Sequence, residues 1–160
     1  MGLVGPNGAG KTTALSMATG LLRPDAGTVQ VLGHDVWSAP HEAKVLLGVL
    51  PDGLRLFDRL SGQELLTYVG RLRGMDDTTT AERTGQLLAA LGLEPAARKM
   101  VVDYSAGMTK KIGLACALLH APRVLVLDEP LEAVDPLSAQ GIRDLLADYA
   151  AGGGTVVISS

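Results

Sequence analysis

Short runs of apolar residues alternate along this chain with segments in which apolar residues recur at helical spacing. Continuous apolar runs bounded by turns are typical of strands that a parallel sheet buries on both faces, whereas spacings of three and four residues are typical of amphipathic helices. The pattern predicts strands over residues 2–4, 28–32, 48–50, 124–127 and 155–158, and helices over residues 11–19, 41–47 and 138–150. This alternation predicts an α/β fold built on a mostly parallel sheet, with ligands at the carboxyl ends of the strands.

The middle of the chain has a different character. Ser61, followed three residues later by Glu64, has the form of a capping box, and apolar residues follow it at helical spacing. A second helix is predicted over residues 80–91, where Gly92 would end it, and another begins at Ser105. No strand pattern occurs between residues 54 and 104, so the sequence predicts an α-helical insertion.

Composition limits the class of protein without identifying a function. The 160 residues are 47% apolar and 19% charged, which is typical of a globular domain, and the net charge of −3 argues against a surface that binds nucleic acid. The single cysteine, Cys116, excludes an internal disulfide and is predicted to be a core thiol. His34, His41 and His120 lack the spacing of a metal site, and the sequence contains no run of about 20 apolar residues that would cross a membrane.

The most specific chemical signal is a glycine-rich loop between the first predicted strand and the first predicted helix. Glycines at positions 5, 8 and 10 are expected to adopt backbone conformations closed to other residues, so that successive N–H groups point at an anion. Lys11 would reach the β- and γ-phosphates of a nucleotide, and the Thr12 hydroxyl would ligate Mg²⁺. The alternative is a simple glycine turn before a helix. The loop, which fits the phosphate-binding pattern G-x-x-x-x-G-K-[ST], reads Gly5-Pro6-Asn7-Gly8-Ala9-Gly10-Lys11-Thr12-Thr13.

Two acidic residues follow the predicted buried strand over residues 124–127. Asp128 stands where a Mg²⁺–phosphate site needs a carboxylate, because Mg²⁺ prefers oxygen ligands. Glu129 could orient or deprotonate an attacking water. The alternative is a strand end that faces solvent, which the presence of the glycine loop disfavours.

The segment Tyr104-Ser105-Ala106-Gly107-Met108 precedes a predicted helix that carries Lys110 and Lys111. Ser105 is a good N-cap, and the unpaired N–H groups at this helix start could bind an anion. A capped helix without a ligand explains the residues equally well. The chemistry of the residues therefore leaves both interpretations open.

The order of these motifs resembles the ATP-binding cassette (ABC) family of ATPases, across essentially the whole chain. Its subtype is most similar to the bacterial ABC-2-type exporter ATPases, which carry similar Tyr-Ser-x-Gly-Met segments. The matching segments are the Walker A loop at Gly5–Thr13, the Q-loop at Pro51-Asp52-Gly53, the signature at Tyr104–Met108, Walker B at Leu125–Pro130 and the D-loop at Leu131–Pro136.

The resemblance implies a P-loop NTPase fold, a mechanism and partners. Two cassettes would bind two ATP molecules head to tail, with Mg²⁺ at Thr12 and Asp128 and with Glu129 and Lys11 as the catalytic residues. The γ-phosphate of the partner's ATP would contact the signature. Transmembrane permease subunits at the inner face of the cell membrane, and no nucleic acid, are the other expected partners. The residues implied in nucleotide binding are Gly5, Pro6, Asn7, Gly8, Ala9, Gly10, Lys11, Thr12, Thr13, Asp52, Ser105, Gly107 and Asp135.

The resemblance also divides the chain and marks its departures from the family. A RecA-like core is expected over residues 1–53 and 119–160, and a helical subdomain over residues 54–118. Ala106 replaces a glycine, which requires a negative φ there, and Asp52 replaces a glutamine, so that an acceptor-only group stands near the γ-phosphate. The family's adenine-stacking aromatic residue would precede this chain and its switch histidine would follow Ser160. The sequence is therefore interpreted as a fragment cut at both ends, and turnover by these 160 residues alone is not expected.

Two other functions and one local question stay open at this point. The chain could belong to a soluble ABC ATPase that acts in translation or repair, or to a nucleotide-binding module without catalysis. The apolar cluster of Leu54, Leu56, Phe57 and Leu60 could fill the core of the helical insertion, which is preferred because apolar clusters usually do so, or could contact a membrane subunit.

Overall fold

The computed structural model describes residues 1–6 and 8–160, so Asn7 of the glycine loop lies outside the described residues. Short 3-10 helices at Glu94–Ala96 and Val101–Asp103 lie between the fourth and fifth helices. The strands and helices are β1 (Gly2–Leu3), α1 (Lys11–Ala18), β2 (Gln30–Val31), β3 (His34–Asp35), α2 (Pro40–Leu46), β4 (Leu47–Leu50), α3 (Gly62–Leu72), α4 (Asp77–Ala90), α5 (Ala106–Leu118), β5 (Val124–Asp128), α6 (Pro136–Ala151) and β6 (Thr155–Ser159).

Four of the strands form one parallel sheet in the order β1-β6-β5-β4. The register pairs Asp128 with Ser159, and Ser159 in turn with Leu3. Because all four strands run in the same direction, the loops that follow them emerge at one edge of the sheet. The predicted parallel sheet is confirmed, and its carboxyl edge gathers the glycine loop, Asp52 and the Asp128–Glu129 pair.

Both faces of the sheet are covered, as the continuous apolar runs indicate. Val126 packs in a cluster with Leu15 of α1 and Ala43 of α2. Its neighbours Leu125 and Leu127 point to the opposite face, into a larger cluster with helices α5 and α6. Alternate residues of one strand thus enter two different cores, which explains why β5 contains no polar residue before Asp128.

The predicted helical insertion is present and packs as its sequence indicates. Ser61 and Glu64 form the reciprocal capping box, since the Glu64 N–H donates to Ser61 Oγ and the Ser61 N–H donates to the Glu64 carboxylate at 2.8 Å. Helix α3 packs on α4, and both contact α5. Cys116 lies partly buried against this core, and burial raises the pKa of its thiol to about 12. Within the described residues, no helix has the length and apolar character needed to cross a membrane.

The structure corrects two details of the predicted elements. The strand predicted over residues 28–32 is only β2, which pairs antiparallel with β3, a strand that was not predicted. The turn between them uses positive φ at Leu32 and Gly33, and leucine is not a residue that signals such a turn. Helix α4 begins at Asp77 rather than at residue 80, because Asp76 caps it by accepting from the Thr79 N–H at 2.8 Å.

Candidate functional site

A cavity of about 520 Å³ opens at the carboxyl edge of the sheet. It brings together parts of the chain that are more than 100 positions apart in sequence, namely the glycine loop and the segment after β5. Three carboxylates and one ammonium group reach its wall. The described residues that line it are Pro6, Gly8, Ala9, Gly10, Lys11, Thr12, Thr13, Asp52, Glu129 and Glu132.

The backbone of the glycine loop has the conformation that an anion site requires. Gly8 and Gly10 both have φ of +84°, which other residues adopt only with strain, and Gly10 is the N-cap of α1. Among the described residues, no side chain caps this helix start, so its first N–H groups remain available to a ligand. The expectation of an unusual conformation is wrong for Gly5, whose φ is not positive.

Lys11 folds back over the loop that precedes it. Its Nζ donates to the carbonyl oxygens of Gly5 and, at 3.4 Å, of Pro6. Both acceptors are neutral, and Lys11 itself lines the cavity, so its ammonium group can exchange them for a stronger anionic acceptor without leaving the site. Thr12 and Thr13 follow on the exposed first turn of α1 and also line the cavity.

Asp128 is buried beneath the cavity rather than exposed in its wall. The residue is 3% exposed, and its Oδ1 accepts a hydrogen bond from Ser159 Oγ, which is itself fully buried. Ser159 Oγ also accepts from the Glu129 N–H at 3.3 Å. One serine on β6 therefore supports both Asp128, the last residue of β5, and Glu129, which follows it, a role for which the sequence offered no signal.

Glu129 leaves the strand with a strained backbone. Its φ is +47°, a region that non-glycine residues seldom adopt, and its side chain is half-buried at the cavity wall. Strain of this kind is usually held in place where a side chain must point in a fixed direction. The backbone directs the Glu129 carboxylate into the same cavity as Lys11.

Asp52 and Glu132 contact a lysine that sequence reasoning did not assign to the site. Lys110 Nζ lies 3.7 Å from Asp52 Oδ1 and 4.0 Å from Glu132 Oε2. The lysine side chain is 15% exposed, whereas Asp52 is 48% and Glu132 64% exposed. The only sequence signal was the charge itself, since two adjacent lysines on α5 do not reveal which carboxylates they meet.

The signature segment does not line this cavity. Ser105 is the N-cap of α5, where its Oγ accepts from the Met108 N–H at 3.3 Å, and Ala106 begins the helix without a positive φ, as its Cβ requires. Gly107 packs against the loop after β5, so closely that a Cβ there would lie 2.9 Å from the Ala133 carbonyl oxygen. Within this chain Gly107 thus serves a close approach between two loops.

Asp135 also lies outside the cavity wall. It is the N-cap of α6, where its Oδ1 accepts from the Ser138 N–H at 2.9 Å. The hydrogen bonds from Ser138, side chain first, lower the pKa of this exposed carboxyl. Its contact in this chain is a helix cap, and its expected role toward a nucleotide stays a prediction.

The donor set fits a magnesium nucleotide. Hydroxyl and carboxylate oxygens from Thr12, Asp128, Glu129 and Asp52 are the ligands that Mg²⁺ prefers, and the free helix N–H groups fit phosphate oxygens. No group of three His, Cys, Asp or Glu side chains that could hold a metal ion by itself occurs in the described part of the chain.

Comparisons with known proteins agree with this geometry. A family model described as "ABC transporter" matches residues 1–132. The "Uncharacterized ABC transporter ATP-binding protein YxlF" of Bacillus subtilis is 41% identical over 146 residues, which are 91% of this chain and 48% of that protein. The "Doxorubicin resistance ATP-binding protein DrrA" of Mycobacterium tuberculosis is 40% identical over 93% of this chain and 45% of its own length. The chain thus spans about half the length of the curated relatives it matches.

A solved structure extends the agreement to the fold. It is described as "Structure of ATP binding subunit of ABC transporter" and superposes with a TM-score of 0.88 at 26% identity. The superposition covers the whole of this chain and 65% of that one. The predicted P-loop α/β fold is therefore confirmed.

Proposed function

The chain belongs to the ABC transporter family, and from this premise we propose that it forms the nucleotide-binding core of a subunit that hydrolyses MgATP to drive a membrane transporter. One observation carries the proposal. The uncapped start of α1, the Lys11 ammonium and the Glu129 carboxylate all reach a single cavity of about 520 Å³. Helix N–H groups and an ammonium group bind phosphates, and a carboxylate activates water.

Each group has a distinct task in the proposed reaction. The N–H groups from Gly8 to Thr12 bind the phosphate chain, and Lys11 exchanges its loop carbonyls for the terminal phosphate oxygens. Thr12 and the buried Asp128 are the residues that would hold Mg²⁺, since their hydroxyl and carboxylate oxygens are the ligands that this ion prefers. When bound, Mg²⁺ neutralises charge that develops on the phosphates. Glu129 orients the attacking water and accepts its proton.

The second cassette and the membrane subunits are further parts of the proposal. Ser105, Gly107 and Asp135 lie outside the cavity, and Ser105 and Asp135 are exposed, which fits residues that complete a partner's nucleotide site. Relatives named for drug resistance favour transport over a role in translation or repair. The proposal includes a location at the inner face of the cell membrane, beside the permease subunits.

The apolar cluster after Asp52 supports a docking surface only in part. Leu54, Leu56 and Leu60 pack partly buried against the main core, as the core-packing interpretation predicts. Phe57 is 59% exposed, so that interpretation is wrong for this residue. Phe57 instead meets the half-exposed Tyr68 edge to face, with ring centroids 5.1 Å apart. We propose this aromatic pair as part of the contact with a membrane subunit.

Replacing Glu129 with glutamine in the full-length protein tests the catalytic assignment. Gln keeps the size of Glu and makes the same demand on the strained backbone, but it cannot accept the proton. We expect ATP turnover to fall by about 100-fold or more while ATP binding is retained, so that an ATP-bound dimer accumulates in size-exclusion chromatography. Lys11→Ala, in contrast, should lose both turnover and ATP binding, because it removes a phosphate contact.

Glu82→Gln on the exposed face of α4 is the matched control, since it makes the same chemical change far from the cavity wall. It should leave turnover unchanged. A Glu129→Gln protein that turns over ATP within about threefold of the parent would exclude Glu129 as the base.

A further inference from the structure

Lys110 lies behind a wall that separates two cavities. Asp52 and Glu132 line the nucleotide cavity of about 520 Å³, and they also line a second cavity of about 350 Å³ on the side of α5. Lys110 and Ala106 line only the second cavity. Asp52 and Glu132 thus stand between the proposed nucleotide site on one side and the Lys110 ammonium group on the other.

The nucleotide cavity has an excess of negative charge without that ammonium group. Its described lining carries Asp52, Glu129 and Glu132 against a single cation, Lys11. An ionised aspartate only accepts hydrogen bonds, so at the cavity wall it repels phosphate oxygens where an amide would not. Among the described residues, Lys110 is the cation that pairs with this carboxylate, with its Nζ 3.7 Å from Asp52 Oδ1.

The surroundings of Lys110 hold it in this place. Its side chain is 15% exposed, so the neighbouring residues of α5 and of the cavity wall restrict where the ammonium group can lie. Asp52 follows β4 and Glu132 follows β5, whereas Lys110 sits on the second turn of α5, one turn after Ser105 and Gly107. The three charges therefore connect the two loops of the cavity wall to the helix that carries the signature segment.

We propose that Lys110 is a positioning residue that holds Asp52 at the cavity wall and compensates its charge, so that a chain with aspartate at this position still binds MgATP. This inference rests on the proposed function, because it concerns the same cavity. It predicts that the contribution of Lys110 to nucleotide affinity depends on the presence of a carboxylate at residue 52.

A double-mutant cycle in the full-length protein tests this dependence. The affinity for MgATP is measured by anisotropy of a fluorescent ATP analogue in the parent, Lys110→Gln, Asp52→Gln and the double variant. A partly exposed ion pair contributes up to about fivefold, so we expect Lys110→Gln to weaken binding by about three- to fivefold at low salt. In the Asp52→Gln background the same change should alter binding by less than about twofold, because only Glu132, the more exposed carboxylate, remains beside residue 110. Lys110→Arg should keep the parent's affinity to within about 1.5-fold.

The remaining arms separate charge at this place from charge in general. Lys99→Gln makes the same change in net charge on an exposed residue outside both cavities and should leave affinity unchanged. Thermal unfolding of each nucleotide-free variant identifies a loss of fold, and Lys110→Arg keeps the test valid if Lys110→Gln is unstable. Raised salt should reduce the effect of Lys110→Gln, since ions screen the exposed carboxylates.

Two results would overturn the inference while the proposed function stands. One is an equal loss of affinity on Lys110→Gln in both backgrounds, and the other is an Arg variant as weak as the Gln variant. A parent protein that does not bind MgATP, or binds it no better than Lys11→Ala, would refute the proposed function itself and this inference with it.

Discussion

Replacing Ser159 with alanine removes a single oxygen from the most buried part of the site. Ser159 has no exposed surface, and its Oγ donates to Asp128 Oδ1 and accepts from the Glu129 N–H at 3.3 Å. Asp128 is only 3% exposed, so water has little access to replace the lost donor. The change therefore leaves a buried carboxylate oxygen without this partner and releases the backbone of Glu129 at the same time.

The size of the effect follows from the charge and burial of the acceptor. A hydrogen bond to a charged group contributes about 1.5–3 kcal/mol to the free energy of unfolding. The loss is greater within this range when the acceptor is buried, because water cannot replace the missing donor. For a folded unit of 150–250 residues, 1 kcal/mol shifts the melting temperature by about 2–4 °C. We expect Ser159→Ala to lower the melting temperature by about 3–12 °C and to raise the MgATP concentration needed for stabilisation.

Thermal unfolding of the full-length protein, with and without MgATP, measures both effects. Thr78→Ala is the control, because Thr78 is exposed on α4 and its side chain makes no hydrogen bond within the described residues. Its melting temperature should stay within about 1 °C of the parent. If Ser159→Ala behaves like Thr78→Ala, the argument that Ser159 supports Asp128 is refuted.

Three further predictions concern packing, pH and partners. A Cβ at Gly62 would lie 2.2 Å from Tyr104 Oη, so Gly62→Ala should cost about 1–3 kcal/mol in denaturant unfolding, whereas Gly85→Ala, which meets open space, should cost nothing. Burial lowers the pKa of His120 to about 4, so the unfolded chain binds the extra proton between pH 6.5 and 4. The free energy of unfolding should fall by about 1–2 kcal/mol as the pH drops through that window, and His120→Gln should abolish this part of the fall. If the His120→Gln protein loses stability with pH just as the parent does, His120 is not the group responsible. Phe57→Ala should weaken co-purification with the proposed membrane subunits at an unchanged melting temperature, and a marked drop in that temperature would instead indicate core packing.

Elements that depend on local chemistry were predictable from the sequence. The capping box of Ser61 and Glu64 and the buried run of β5 express neighbouring residues, and they appear where they were expected. The start of α4 was missed although aspartate is a common N-cap, because the threonines that follow Asp76 favour a helix only weakly. The β2–β3 hairpin was missed because leucine does not signal the positive φ that Leu32 adopts. The exposure of Phe57 could not be predicted either, since it depends on which helices cover the loop.

By itself, the sequence determined the glycine loop, the acidic end of β5 and the α/β class, because spacing along one strand or one helix turn sets each of them. Only the tertiary structure decided which distant groups meet. Ser159 reaches Asp128, 31 positions away, through the register of two parallel strands, and Lys110 reaches Asp52 through the packing of α5 beside β4. A contact of this kind depends on how whole elements are placed, and a polar residue's type does not reveal its partner.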